Sequence, residues 1–164
     1  MFAGHENRVR CVTISSDDKY LFSGSNDYHI IQWQISDGSI KTRFEGHSYN
    51  VCSIFISADS RFLVSGGNDK MVIIFDVESA VAIRELNEHT SFVLGVVLSF
   101  DGKLIASCSA DSSVRIWELE SGSCLHVLKK HSNCVTGLCF NYDGKQLISC
   151  SYDRTIKIWS VETG

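Results

Sequence analysis

The chain has 164 residues, of which 44% are hydrophobic and 21% charged, so it is long enough for one packed domain and too apolar for a disordered segment. Its formal net charge of -4 argues against a basic surface for nucleic acid. The longest apolar stretch, residues 92–100, is about half of what a membrane-spanning helix requires, and residues 1–10 lack the apolar core of a signal peptide. We expect an intracellular protein, cytoplasmic or nuclear, that binds neither nucleic acid nor a membrane.

Four series of residues recur along the chain at a constant offset of 42 positions. In chain order within each unit they are a histidine (His5, His47, His89, His131), a serine (Ser23, Ser65, Ser107, Ser149), an aspartate (Asp27, Asp69, Asp111, Asp153) and an aromatic residue (Trp33, Phe75, Trp117, Trp159). A fixed offset indicates a repeated structural unit. We expect one domain over residues 1–164, made of repeats at about 1–42, 43–84, 85–126 and 127–164 without a linker.

Each unit contains short runs of β-branched and aromatic residues separated by residues typical of turns. In the third unit the runs are 93–100, 104–108, 114–119 and 123–128, which predict four antiparallel strands. The runs 72–77 and 114–119 are apolar at successive positions instead of alternating. Strands of this kind are covered on both faces, so the small sheets must stack on one another.

These markers together resemble the WD-repeat β-propeller family. A Gly-His pair or its variant and a Ser-x-Ser/Gly-x-Asp turn occur four times, over essentially the whole chain, and a Trp lies six residues after the Asp in three of the units, with Phe75 in its place in the second. The terminal Trp-Asp pair of the family is degenerate here, as Trp33-Gln34, Phe75-Asp76, Trp117-Glu118 and Trp159-Ser160. The resemblance implies an all-β fold with four antiparallel propeller blades.

The resemblance also implies a role for the repeated polar residues. In the family the turn Asp, the His, a Ser of the second strand and the Trp form one hydrogen-bonded chain, which here would be Asp27–His5–Ser23–Trp33, Asp111–His89–Ser107–Trp117 and Asp153–His131–Ser149–Trp159. We expect the serine four residues before the Asp to take part, because the position two residues before it is Gly67 in the second unit. In that unit Asp69, His47 and Ser65 remain, and the chain stops at Ser65 because Phe75 has no N–H donor.

Ser, His and Asp are also the members of a hydrolase triad. Here the trio recurs four times, in three of the units with a Trp attached, and no Gly-x-Ser-x-Gly turn exposes a serine. The histidines fall on separate blades, too far apart to share one metal ion, and no phosphate-binding or calcium-binding loop is present. We therefore expect no catalytic residue, no metal and no cofactor.

The top face, the end of the blades that carries the His and the turn Asp, is where this family usually holds partners. The resemblance places twelve residues there: Arg8, Arg10, Asn26, Asn50, Cys52, Asn68, Phe92, Leu94, Ala110, Cys134, Thr136 and Tyr152. We predict a noncatalytic scaffold that binds proteins or peptides on this face. Two alternatives are a structural segment of a larger WD-repeat protein without a partner of its own, and an enzyme with a pocket on the propeller axis.

The number of predicted strands indicates whether the blades can close into a ring. Fourth strands are predicted at 39–44, 81–86 and 123–128, so the fourth blade has only three. Because the resemblance implies a ring that most often has seven blades, we expect an open arc, which is part of a longer propeller or associates with itself as half of a two-chain ring.

The seven cysteines are odd in number and form no CxxC pair, so we interpret them as reduced thiols. Cys108 and Cys150 lie in strands predicted to be buried on both faces, and we expect them to be inert. We expect Cys52 and Cys134, on the top face, to react faster.

Overall fold

The computed structural model describes residues 1–164, and its regular structure consists of fifteen β-strands. The strands are β1 Val9–Ile14, β2 Tyr20–Ser25, β3 Ile30–Gln34 and β4 Ile40–Phe44; β5 Val51–Ile56, β6 Phe62–Gly67, β7 Val72–Asp76 and β8 Val81–Leu86; β9 Val93–Leu98, β10 Leu104–Ser109, β11 Val114–Glu118 and β12 Cys124–Leu128; β13 Val135–Phe140, β14 Gln146–Ser151 and β15 Ile156–Ser160. No helix in the structure is long and apolar enough to cross a membrane.

The strands form four separate sheets in which each strand pairs antiparallel with its neighbour in sequence. Blades 1, 2 and 3 contain β1–β4, β5–β8 and β9–β12, whereas blade 4 contains only β13–β15. The turns repeat as well, because a residue with positive φ follows the turn Asp in every blade: Tyr28, Lys70, Ser112 and Arg154. This left-handed residue lets the chain reverse within a short loop.

The hydrophobic core lies between the blades. One cluster joins Phe22 and Ile30 of blade 1 to Ile54 and Ile73 of blade 2. The equivalent clusters join blade 2 to blade 3 and blade 3 to blade 4. The third strands are consequently buried on both sides in blades 1 to 3, as their uninterrupted apolar runs predict.

The innermost strand of each blade packs on the innermost strand of the next, in the order β1, β5, β9 and β13. β13 and β1 have no comparable contact, so the four blades form an arc that is open on one side. The prediction of an all-β propeller with four antiparallel blades in an open arc is confirmed.

Candidate functional site

A chain of hydrogen bonds crosses the top of blade 1. His5 Nδ1 lies 2.7 Å from Asp27 Oδ2, and His5 Nε2 lies 2.7 Å from Ser23 Oγ. Trp33 Nε1 donates to the same Ser23 oxygen at 2.7 Å. Because an indole N–H can only donate, Ser23 donates its own hydrogen to Nε2, and the histidine therefore carries its proton on Nδ1. Every member of the chain is satisfied with a neutral histidine.

The same chain is present in blades 3 and 4. His89 contacts Asp111 and Ser107 at 2.8 Å each, and Trp117 donates to Ser107 at 2.8 Å. In blade 4 the corresponding distances for His131, Asp153, Ser149 and Trp159 are 2.7, 2.9 and 2.8 Å. The structure thus brings together the four residues that the resemblance implies in each of these blades, with the serine four residues before the Asp.

In blade 2 the chain ends at the serine. His47 lies 2.7 Å from both Asp69 Oδ2 and Ser65 Oγ, but Phe75 replaces the tryptophan and donates nothing. The Phe75 ring instead packs edge-on against Phe44, with the ring centroids 5.5 Å apart. Blade 2 therefore replaces one polar contact with an aromatic one.

The turn aspartates are held as carboxylates. Burial raises the pKa of the Asp69 carboxyl, but the hydrogen bonds from His47 and from two backbone N–H groups outweigh that effect and hold the pKa below its ordinary value. Burial has the same effect at Asp111, where bonds from His89 and Ser113 hold the pKa well below its usual range. The carboxylate also accepts the N–H of the residue after the histidine, as Glu6, Ser48, Thr90 and Ser132 show.

This arrangement fixes loops and does not expose a nucleophile. The hydroxyls of Ser107 and Ser149 are buried and engaged by both the histidine and the indole. The serine two residues before the Asp has a different role, because Ser109 Oγ accepts the Asp111 N–H and donates to the Ser91 carbonyl. A substrate would have no access to either hydroxyl. The hydrogen bonds of the trio instead hold the turn against the loop before the first strand.

A second backbone hydrogen bond recurs in every blade, and it joins two of the three top-face residues that are predicted for that blade. The N–H of the residue before the turn Asp donates at 2.9 Å to the carbonyl of the loop residue before the first strand, in the pairs Asn26–Arg8, Asn68–Asn50, Ala110–Phe92 and Tyr152–Cys134. The remaining residues, Arg10, Cys52, Leu94 and Thr136, lie two positions further along the chain in each blade. The structure therefore places each predicted group of three at one end of its own blade.

The chemistry of this face differs between blades. In blade 1 both arginines are exposed, and Arg10 Nη1 lies 3.5 Å from Asn26 Oδ1. In blade 2 the Cys52 thiol is half-buried and donates to Asn68 Oδ1 at 3.0 Å. In blades 3 and 4 the rings of Phe92 and Tyr152 project into solvent.

The cysteine predictions need a correction. Cys108 is buried as expected, but the prediction that Cys150 is buried was wrong, since this residue is exposed. No further blade covers the side of blade 4 on which Cys150 lies, whereas blade 4 itself covers Cys108. Burial also raises the pKa of the half-buried Cys52 thiol, so Cys52 does not gain reactivity from its position on the top face.

One surface was missed by the sequence reasoning. Around the inner strands, at the end opposite the top face, a groove of ≈ 500 Å³ is lined mainly by apolar residues that include Phe55, Phe100 and Tyr142. The rings of Phe100 and Tyr142 are 5.0 Å apart and exposed. The signal in the sequence is the change from Ser16 and Ala58 to two aromatic residues at equivalent turn positions.

Four stacked antiparallel sheets around a line of innermost strands define a β-propeller protein, here an open arc of blades. The family model described as "WD domain, G-beta repeat" matches residues 1–34, 38–76, 81–118 and 122–160. The chain belongs to the WD40 repeat family, whose repeats in general build scaffolds for protein interactions.

Comparison with solved structures supports the same fold. The chain is similar to a chain described as "Structure of U3-55K", with a TM-score of 0.91 and 24% sequence identity. The match covers 98% of this chain and 51% of the other, so the present chain spans about half of its length. A search of the curated proteins found no match.

Proposed function

We propose that the chain binds a partner protein or peptide through the top face of its arc and has no catalytic role. The observation that carries this proposal is the exposure of two aromatic rings on this face, Phe92 at 46% and Tyr152 at 69%. Large exposed aromatic side chains on ordered loops are typical anchors of binding surfaces. The general scaffold role of the WD40 repeat supports the same conclusion.

The two aromatic residues are connected by a series of hydrogen bonds across the junction of blades 3 and 4. Ala110 N–H donates to the Phe92 carbonyl, and Cys134 Sγ donates to the Ala110 carbonyl at 3.7 Å. Tyr152 N–H then donates to the Cys134 carbonyl. The backbone beneath both rings is therefore fixed before a partner arrives, which lowers the entropy cost of binding.

Blade 1 adds positive charge to the same face. Arg8 and Arg10 are exposed, and the single side-chain hydrogen bond of Arg10 is the long one to Asn26. A guanidinium group with free donors suits a carboxylate, so we infer a partner segment that combines an apolar side chain with an acidic group. The charged part of this contact weakens as salt is added, whereas the aromatic part does not.

The test compares two pairs of exposed aromatic residues at opposite ends of the blades. Partners captured by the wild-type chain should be lost with the double variant Phe92→Ala/Tyr152→Ala. Their binding should be weakened by high salt, and also by the double variant Arg8→Ala/Arg10→Ala. The matched control, Phe100→Ala/Tyr142→Ala, removes the aromatic pair of the opposite end and should retain them. Partners that are lost with the control pair and retained with the top-face pair would contradict the proposal.

We also propose an intracellular location, in the cytoplasm or nucleus. All seven cysteines are free, and reduced thiols persist in those compartments. Fractionation of cells with an antibody to the chain tests this, and recovery from the secreted medium would contradict it.

A further inference from the structure

A polar cleft lies between blades 1 and 2 at the end opposite the top face. Its volume is ≈ 280 Å³, and its lining includes Tyr20, Gln32 and Lys41 of blade 1 and Arg61 and Glu78 of blade 2. Because one water takes up about 30 Å³ of the liquid, the cleft has room for a molecule of about ten non-hydrogen atoms. Both of its walls belong to an inner junction of the arc, so the cleft does not depend on what adjoins the two ends of the arc.

The repeat shows that this polar lining is particular to one junction. Tyr20, Gln32 and Lys41 have equivalents one and two repeats further along the chain, at the two other inner junctions. These equivalents are all apolar: Phe62, Ile74 and Ile83 in blade 2, and Leu104, Ile116 and Leu125 in blade 3. Three positions that are apolar elsewhere are therefore polar together where they line one cleft. The packing of blade on blade does not require this change.

Gln32 forms the buried end of the cleft. It is 1% exposed, and its cross-strand neighbour Phe22 is fully buried. The amide oxygen Oε1 of Gln32 has no hydrogen-bond partner in the chain. A buried acceptor without a donor lowers stability, whereas Ile74 at the equivalent position packs in an apolar cluster. The glutamine is explained if a bound molecule donates a hydrogen bond to it.

The mouth of the cleft has an excess of positive charge. Lys41 and Arg61 each lie over an aromatic ring, and neither forms an ion pair. The Asp17 carboxylate, also at the cleft, is paired with Lys19 Nζ at 3.2 Å. Among the charged residues of the lining this leaves two cations and one unpaired carboxylate, that of Glu78. A ligand with a single negative charge balances them.

We propose that this cleft binds a small organic acid that also carries a hydroxyl or amide N–H group. The neutral group donates to Gln32 Oε1 at the buried end. The carboxylate lies at the mouth, where the Lys41 ammonium and the Arg61 guanidinium provide charge-assisted hydrogen bonds. The excess of one positive charge favours a carboxylate over a doubly charged phosphate. This site is separate from the top face, so the two binding activities can be tested independently.

The first experiment screens for binding by ligand-observed NMR with the full chain. The probes are organic acids of about ten non-hydrogen atoms, each with a hydroxyl or amide donor, together with the neutral primary amide of each acid. Some of the acids should bind at millimolar concentration, and their amides should bind at least about tenfold more weakly because they lack the charge. The absence of binding by every acid, or equal binding of acids and amides, would overturn the proposal.

The second experiment locates the site with matched variants. Gln32→Ile and Lys41→Ile introduce the residues that blade 2 has at these positions, and each should weaken binding of the acid at least about tenfold. The control is Lys103→Ala, which removes the cation equivalent to Arg61 in blade 3 and should leave binding unchanged. Binding that persists in Gln32→Ile, or that is lost in Lys103→Ala, would overturn the proposal.

The third experiment uses thermal unfolding of the same variant. Without ligand, Gln32→Ile should have a higher thermal midpoint than the wild type, because it removes the buried acceptor that has no donor. Added acid should raise the midpoint of the wild type and not that of Gln32→Ile. A lower midpoint for ligand-free Gln32→Ile would mean that a trapped water already satisfies the amide, and would overturn the proposal.

Discussion

Blades 3 and 4 carry nearly the same sequence, SCSADSSVRIW at 107–117 and SCSYDRTIKIW at 149–159, yet they differ in burial. Their polar chains are alike, with the indole 2.8 Å from the serine in both. The burial of their equivalent apolar residues differs, because Ile116 is fully buried and Ile158 is 66% exposed. The comparison separates two levels of information, since hydrogen bonds are specified within a repeat whereas burial depends on the next blade.

The largest expected difference between these blades is in thiol chemistry. Burial raises the pKa of Cys108 from 9.0 to about 12, which lowers its thiolate fraction about a thousandfold before access is considered. Cys150 is exposed. Under native conditions at low protein concentration, a thiol reagent should label Cys150 and Cys139 fast and Cys108 only on unfolding, as followed by mass spectrometry. Equal labelling of Cys108 and Cys150 would mean that the junction of blades 3 and 4 is open.

Truncating the same apolar position should have unequal costs in the two blades. Ile116→Ala should lower the free energy of unfolding by about 2–5 kcal/mol, because it leaves a cavity between packed blades. Ile158→Ala removes an exposed side chain and should change it by no more than about 0.5 kcal/mol in the single chain. Urea denaturation at low protein concentration measures both, and equal losses would show that Ile158 is covered.

Removing the indole donor should instead have the same effect in both blades. Trp117→Phe and Trp159→Phe each leave a buried serine without its donor, which costs about 1–3 kcal/mol. The costs should agree because the tryptophan side of blade 4 is covered by blade 3. A neutral result in denaturant melts for both variants would mean that the polar chain contributes little to stability.

Lowering the pH should destabilise every blade, and we expect this loss of stability to be the smallest of the four predicted effects. The Ser15 hydroxyl and the Lys19 N–H lower the pKa of Asp17 to about 2, and the pKa of Asp69 is also below its ordinary value. A depressed folded-state pKa adds stability that is complete above the unfolded value and is lost as the pH falls through the folded value. The thermal midpoint of unfolding should therefore decrease as the pH is lowered from about 4 to about 2. A midpoint that stays constant over this interval would contradict the role of the carboxylates.

Much of this fold follows from the sequence, because a 42-residue offset repeats turn chemistry and strand patterns together. The offset also identified the polar chains and the missing donor at Phe75. It could not identify the exposure of Cys150, which depends on the absence of a neighbour and not on residue type. Whether a face is covered is decided by tertiary contacts that a local pattern does not contain.

A second feature outside the reach of the pattern is an ion pair in blade 3 between a buried arginine, Arg115, and an exposed glutamate, Glu88. Arg115 replaces the isoleucine of blades 1 and 2, and its Nη2 donates to the Glu88 carbonyl at 3.0 Å while Nη1 contacts the Glu88 carboxylate. Glu88 stands where blade 2 has Gly46, which packs against Ile73. The two changes compensate for each other in space although they are 27 residues apart. Neither residue alone predicts the pair.

Each His–Asp bond joins residues 22 positions apart, so the entire polar chain lies inside one repeat. Duplication of the gene segment that encodes one 42-residue repeat would copy a complete hydrogen-bonded chain together with the strands that it joins. The length of such an array can therefore change by whole blades without any new hydrogen-bonded network having to evolve.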